Sequence, residues 1–492
     1  MEKPKETLLA EETLALSCPS QNVSDQPEDP DLVIYNGVHD PENPRNWSFA
    51  YKWSVMALLC GMSLTNNLTV LICAPAIPQI LNEFHSESQL YSTLIVSIWN
   101  FGAIIGCLVM GPLSEIYGRQ PVYNIANLIF LVLLVAQTQS KNMAMVIVFR
   151  CLNGLSIASS SLNPSIVGDL FITEERGRAQ SILSLMPLLG PIIGPILGGY
   201  IAQSKGWRWT FGLASIVLAA FGLAFFAIYR ESYEVIILRR KTQRLRKEMN
   251  NPSLHSPYDH SVSPARFLLD AFLRPLKLFL VPIFVLLSVS SCILNGYIFI
   301  IATSITEIFQ ATYNFSEGAA GLSFLGVALG MALGALLCSV ALDWYTKRMK
   351  ALHNGEIKPE WRLPPMALGF VIAPLGLFIY GWAAQAHIQY VVPIIGTALC
   401  GFAAYTVTIP VTTYLVDIFG IYRASAMSAM MMSRNTMSTV LPLAGPPLYS
   451  ALGLGWGNSV LAFIALALAP LPFFLLKYGE WIRKRSKLEE WL

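Results

Sequence analysis

Apolar runs of about twenty residues recur from Trp53 to Leu476, separated by short segments rich in Gly, Pro and charge. At about 1.5 Å of rise per helical residue, each run crosses about 30 Å of hydrocarbon. Twelve runs meet this length, at 53–75, 91–113, 121–138, 143–165, 179–201, 209–229, 280–302, 319–342, 366–386, 391–414, 424–447 and 458–477. The pattern predicts an all-α membrane protein with twelve transmembrane helices. It breaks between 230 and 276, where a basic stretch and then a Ser, Pro, His and Asp-rich piece read as a linker. The expected units are a disordered tail at 1–51, a six-helix bundle at 52–229, the linker at 230–276, a second six-helix bundle at 277–477 and a basic tail at 478–492.

Composition agrees with a bilayer solvent, since 54% of residues are hydrophobic and only 13% charged. Residues 1–45 are acidic and rich in Ser and Pro with no apolar core, so no cleavable signal is expected. Most Lys and Arg fall on alternate loops, including Arg176, Arg178, the run from Arg239 to Lys247 and the cluster Arg483, Lys484 and Arg485. Lys141, Lys205 and Arg208 fall on the other set, so both termini are expected in the cytosol. A net charge of +3 is too small to argue for nucleic acid. Seven of the eight cysteines lie inside apolar runs, which predicts no structural disulfide. The six histidines lie in loops or tails without ligand spacing, so no metal site, cofactor or enzymatic centre is expected.

The two groups of spans share a pattern. An offset of 228 lays Gly102, Gly106, Glu115, Tyr117 and Arg119 on Gly330, Gly334, Asp343, Tyr345 and Lys347. An offset of 247 lays Arg176, Ala179, Ser181, Pro195, Gly198 and Trp209 on Arg423, Ala426, Ser428, Pro442, Gly445 and Trp456. Such internal duplication points to two bundles that rock about a site near the bilayer midplane.

Three elements carry the expected mechanics. The turn from Gly111 to Arg119 contains Gly118 and sets Glu115 against Arg119 at a helix rim, as a charge pair that latches one conformation. Span 4 carries Arg150, then Asn153 and Gly154, within an apolar run where a central Arg costs about 2.5–3.5 kcal/mol. Such an Arg either serves a pathway or is held by backbone carbonyls, and the pathway is the preferred reading. Span 5 reads Gly190-Pro191-Ile192-Ile193-Gly194-Pro195-Ile196-Leu197-Gly198-Gly199, with glycines four apart for close packing and prolines that permit a bend. Asp169, Arg176, Asp417 and Arg423 complete the expected gate with Asp343 and Lys347.

In order along the chain, these elements resemble the three signature motifs of the major facilitator superfamily. The span 5 element is similar to the mark of its drug:proton antiporter branch with twelve spans. Asn43-Pro44-Arg45-Asn46-Trp47-Ser48, Asp169-x-Phe171 and Glu175-Arg176-Gly177-Arg178-Ala179 resemble fungal members, which include multidrug, polyamine and secondary-metabolite exporters. The resemblance covers the chain from about Asn43 to the end of span 12. It implies the major facilitator fold in two pseudo-symmetric bundles, export coupled to protons, a plasma-membrane monomer and a part for Arg150 in proton relay. Two departures stand out: Glu115 where Asp is usual, and Gln120 where a second basic residue is common. No Asp or Glu lies at mid-depth in any span, so proton coupling rests on the resemblance alone.

Polar residues inside the spans are expected to line a substrate cavity: Asn66 and Asn67, Asn100, Arg150 and Asn153, Asn295 and Tyr297, Tyr405, and Arg434 with Asn435. The mid-depth charges are arginines, which favours a neutral or anionic cargo over a polyamine. Asn314-Phe315-Ser316 is the sequon expected on an external loop. The reading is an exporter of a small amphipathic organic compound; an uptake permease for a nutrient, or a polyamine exporter, is the alternative.

Overall fold

The computed structural model describes residues 31–35, 40–86, 88–258, 272–352, 358–419 and 423–485. The first half holds α1 (Phe49–Leu71), α2 (Gln89–Tyr117), α3 (Arg119–Thr138), α4 (Met143–Ile157), α5 (Thr173–Lys205) and α6 (Arg208–Ile228). The second holds α7 (Pro282–Tyr313), α8 (Leu325–Leu352), α9 (Pro364–Gln385), α10 (Val391–Phe419), α11 (423–452) and α12 (454–468, continued by Leu471–Arg485). An even number of crossings returns the chain to the side on which it started, here called the terminal face; the other is the opposite face.

Among the described residues, eleven helical stretches are long and apolar enough to cross a membrane. The last, Ser425–Arg483, has 59 residues, far more than the ~20 that one crossing needs. It turns back at Gly453, whose φ of 74° and ψ of 173° suit a residue without Cβ, so α11 and α12 form two crossings joined almost without a loop. The hydrophobic pattern predicts a ten-residue connection here; the Gly453 corner replaces it.

Most helices also outrun their apolar segments, because their ends are set by caps and not by hydropathy. Ser48 accepts from the Tyr51 amide at the start of α1, and Asn314 closes α7 in the left-handed conformation. Span 4 is shorter as α-helix than expected. It tightens to a 3-10 turn at Ala158–Leu162 before the helix Asn163–Leu170, where Pro164 supplies no amide hydrogen.

The bilayer is written on the surface. Leu329, Leu333, Leu336 and Val340 form an exposed stripe along α8, and Ile125, Leu128, Val132 and Val135 one along α3. In water such stripes would be unstable; lipid covers them at no cost.

The repeat appears as matched packing. A Cβ on Gly102 would lie 1.9 Å from the Cys151 carbonyl oxygen, and one on Gly154 would lie 2.0 Å from that of Trp99, which draws α2 onto α4. Gly330 faces the Ala398 carbonyl at 1.9 Å and Gly401 faces that of Val327 at 2.2 Å by the same measure, drawing α8 onto α10. In the first half, Gly190, Gly194 and Gly198 of α5 pack on Asn67, Leu68 and Ile72 of α1. Glycines four apart let two backbones touch, and the prolines between them leave α5 continuous over 33 residues.

Part of the segment expected as a tail is ordered. Lys241, on the linker helix Glu234–Glu248, is paired with Asp40 at 2.9 Å, and both side chains are under 5% exposed. Val33 donates to the His255 carbonyl, and Lys52 donates to that of Arg45. Burial pushes the Tyr35 phenol above its ordinary range, so it stays neutral beside Lys241.

Candidate functional site

Arg150 sits at the centre of the first half, fully buried. Its Nε donates to the Ile95 carbonyl at 2.7 Å, Nη1 to Thr69 at 3.0 Å and Nη2 to Val70 at 2.6 Å, while the guanidinium lies 4.6 Å from the centroid of the Trp99 ring. Every nitrogen is committed to α1 or α2. Asn153 donates to the Gln137 side chain of α3, and the Tyr297 hydroxyl donates to the Leu461 carbonyl of α12. The sequence reading puts these three residues on a cavity wall; the structure turns each into its own half, because a buried polar group takes the partners nearest to it.

A different set meets at the seam. Thr439 of α11 donates to the Ser97 carbonyl of α2 at 3.4 Å, which fixes the register of two antiparallel helices from opposite halves. One turn toward the terminal face, Asn100 therefore lies level with Arg434 and Asn435. Asn66 is one turn below Thr69, whose carbonyl shares Arg150 with Ile95, so it falls in the same layer. Both side-chain polar atoms of Asn66, the Asn100 Nδ2, the Ser97 Oγ and the Arg434 Nε are buried with no hydrogen-bond partner. Each such atom costs about 1–3 kcal/mol if left alone. Tyr405 of α10 lies within electrostatic reach of Arg434, and Asn295 of α7 donates to Ser438 at 2.8 Å. Asn67 donates to its own helix at Ser63 and packs against Gly190.

At the terminal face the expected Glu115 and Arg119 pair is replaced by a larger cluster. Arg119 Nε lies 3.3 Å from Asp169, its Nη1 donates to Ser114 and its guanidinium lies over Tyr233. Glu115 is exposed and interacts electrostatically with both Arg119 and Arg274, the latter just ahead of α7. Glu231, absent from the sequence-derived set, organises the corner. Its carboxylate accepts from the backbone amides of Arg119 and Gln120, capping α3, and from those of Ser232 and Tyr233. Gly118 holds a φ of +102°, and a Cβ there would meet Glu231 Oε2 at 2.2 Å. The available signal is an acidic residue two positions after span 6, opposite a helix start with no side-chain cap of its own. Arg176 donates to the Gly168 carbonyl, and Gly111 faces open space. In the second half Asp417 pairs with Arg362 and Lys347 is exposed. The side chains of Asp343 and Arg423 lie outside the described residues.

The opposite face carries further contacts between halves. Gln79 donates to Glu317 Oε2 at 2.7 Å and to the Ala202 carbonyl, while the Gly318 amide donates to Gln203. Beside them Gly199 of α5 packs on the Glu317 carbonyl and Gly321 on that of Pro195. The halves are thus joined tightly on this face. Asn314 is exposed there, and none of the residues expected to line the substrate cavity borders the 280 Å³ cavity that opens nearby.

The Major Facilitator Superfamily family model matches residues 57–442. The MFS-type transporter penM of Penicillium rubens is 40% identical over 94% of this chain and 91% of its own length. The efflux pump radE of Floropilus chiversii is 38% identical over 97% of this chain and 90% of its own. Among solved structures, the inward-open xylose transporter XylE from E. coli superposes with a TM-score of 0.63 at 16% identity, covering 86% of this chain and 96% of that one. Twelve crossings in two matched halves, joined around an unsatisfied polar layer, are accounted for together: this chain is a multi-pass membrane transporter that belongs to the Major Facilitator Superfamily.

Proposed function

We propose that this protein exports a small amphipathic organic compound, a drug, a toxin or a secondary metabolite of the host, by alternating access. The observation that carries the reading is the polar layer at the seam. Asn66, Asn100 and Arg434 bring unmet hydrogen-bonding capacity from both halves to mid-depth, where a ligand or water with matching groups would satisfy it. Arg434 makes that ligand neutral or anionic, not a polyamine. The relative named an efflux pump supports export over uptake.

The basic loops favour a cytosolic terminal face, which makes the tight face at Gln79 and Glu317 the external one, with cargo entering from inside. The cluster of Gly118, Arg119, Asp169 and Glu231 acts as the cytosolic latch, with Glu115 answering Arg274 across the linker. The transporter acts as a plasma-membrane monomer with an N-glycan on Asn314, and proton antiport supplies the energy. Its titrating groups are carboxylates at the two rims, because none stands at mid-depth. Accumulation of a panel of labelled amphipathic compounds in cells with and without the gene tests the direction. Lower retention of at least one compound in expressing cells is expected; higher retention would overturn export.

A further inference from the structure

The half-open cavity on the opposite face encloses about 280 Å³ and is walled by both halves. Gln89, Ser92 and Thr93 of α2 form one side, and Thr303 and Glu307 of α7 with Tyr449 of α11 form the other. Glu307 is the only charged residue lining it, and no described residue pairs with or hydrogen-bonds to its exposed carboxylate.

Five of the hydroxyls around it, those of Thr93, Thr303, Ser304, Tyr449 and Ser450, have their protons committed elsewhere. Thr93 donates to the Gln89 carbonyl at 3.1 Å, Thr303 to that of Ile300 at 2.9 Å, and the Tyr449 hydroxyl is bonded to the Asn458 carboxamide oxygen at 3.1 Å. A hydroxyl that has given its hydrogen away presents only lone pairs. The cavity therefore offers a carboxylate and a majority of acceptor oxygens beside the Gln89 carboxamide and the Ser92 hydroxyl, a combination suited to a cation with N–H donors and greasy arms. At about 30 Å³ for the share of one water, the space holds roughly nine non-hydrogen atoms.

We propose that this cavity is a binding site for small organic ammonium ions, separate from the mid-depth layer and opposite to it in charge preference. The inference does not rest on the export reading, since binding is measured on the resting protein. The probe is triethylammonium chloride, titrated against sodium chloride at equal ionic strength, with thermal unfolding of the purified full-length chain in detergent as the readout. A saturable rise in Tm is expected. Glu307→Gln, which keeps size and exposure, should weaken the apparent affinity by about tenfold or more while leaving the ligand-free Tm unchanged. Glu307→Asp should retain binding, and Thr303→Val should weaken it a few-fold. An equal response in Glu307→Gln, or a Tm that rises linearly without saturation, would overturn the proposal.

Discussion

Gly102 faces Cys151 so closely that a Cβ would sit 1.9 Å from the carbonyl oxygen, and Gly330 stands in the same relation to Ala398. Backbone cannot yield as a flexible side chain can, so Gly102→Ala must push α2 off α4. Overpacking of this kind costs about 1–3 kcal/mol. Both Gly102→Ala and Gly330→Ala should lower the Tm of the purified protein, whereas Gly222→Ala, with nothing within 4 Å, should leave it unchanged.

The pairing of Gly102 with Gly330 was legible because it repeats a residue type at a fixed offset, and small residues at four-residue spacing announce close helices. Arg150 was legible as a buried cation, but not its carbonyl partners, since Ile95, Thr69 and Val70 are defined by tertiary packing and offer backbone groups that any sequence supplies. Glu231 was missed because its partners are backbone amides more than a hundred residues earlier. The Gly453 corner was missed for another reason: polar residues on both sides of it mimic a loop, while the backbone needs only one residue of positive φ.

The α3 cap makes a second prediction. Glu231→Ala removes the acceptor for the amides of Arg119 and Gln120, and loss of such a charged cap costs about 2 kcal/mol. Glu231→Gln retains one acceptor oxygen and should cost less. Gly118→Ala should be at least as harmful as Glu231→Ala, because it combines positive φ with a Cβ aimed at the carboxylate. Thermal unfolding of the three variants gives the order, and a Gly118→Ala protein as stable as the parent would contradict the geometry.

The contact between segment and linker is testable in the same way. Asp40→Asn leaves the buried Lys241 with only the more distant Glu42, at 3.7 Å, as counter-charge, and breaking one side of a buried pair costs up to about 3–5 kcal/mol, here spent on undocking residues 31–35 and 40–48 and not on unfolding the bundles. Hydrogen exchange over that segment should rise sharply in Asp40→Asn while exchange in α1 to α6 stays unchanged. Glu42→Gln, which removes the exposed pair with Arg244 and only the longer, 3.7 Å contact with Lys241, should have a smaller effect.

The two mid-depth arginines should respond oppositely. Arg150 has all three nitrogens on backbone carbonyls and a tryptophan face beneath it, a fork that lysine cannot reproduce. Arg150→Lys should therefore lower the Tm and the yield of folded protein before any question of transport arises. Arg434 is half-buried with its Nε unsatisfied, so its removal breaks no hydrogen bond described in this structure. Arg434→Ala should leave the stability within about 1 kcal/mol of the parent and still abolish or redirect export of whichever compound the accumulation assay identifies. Asn66→Ala, which deletes two buried unpaired atoms, should if anything raise stability while weakening the same export. If Arg434→Ala keeps both rate and substrate preference, the polar layer at the seam is not where cargo binds.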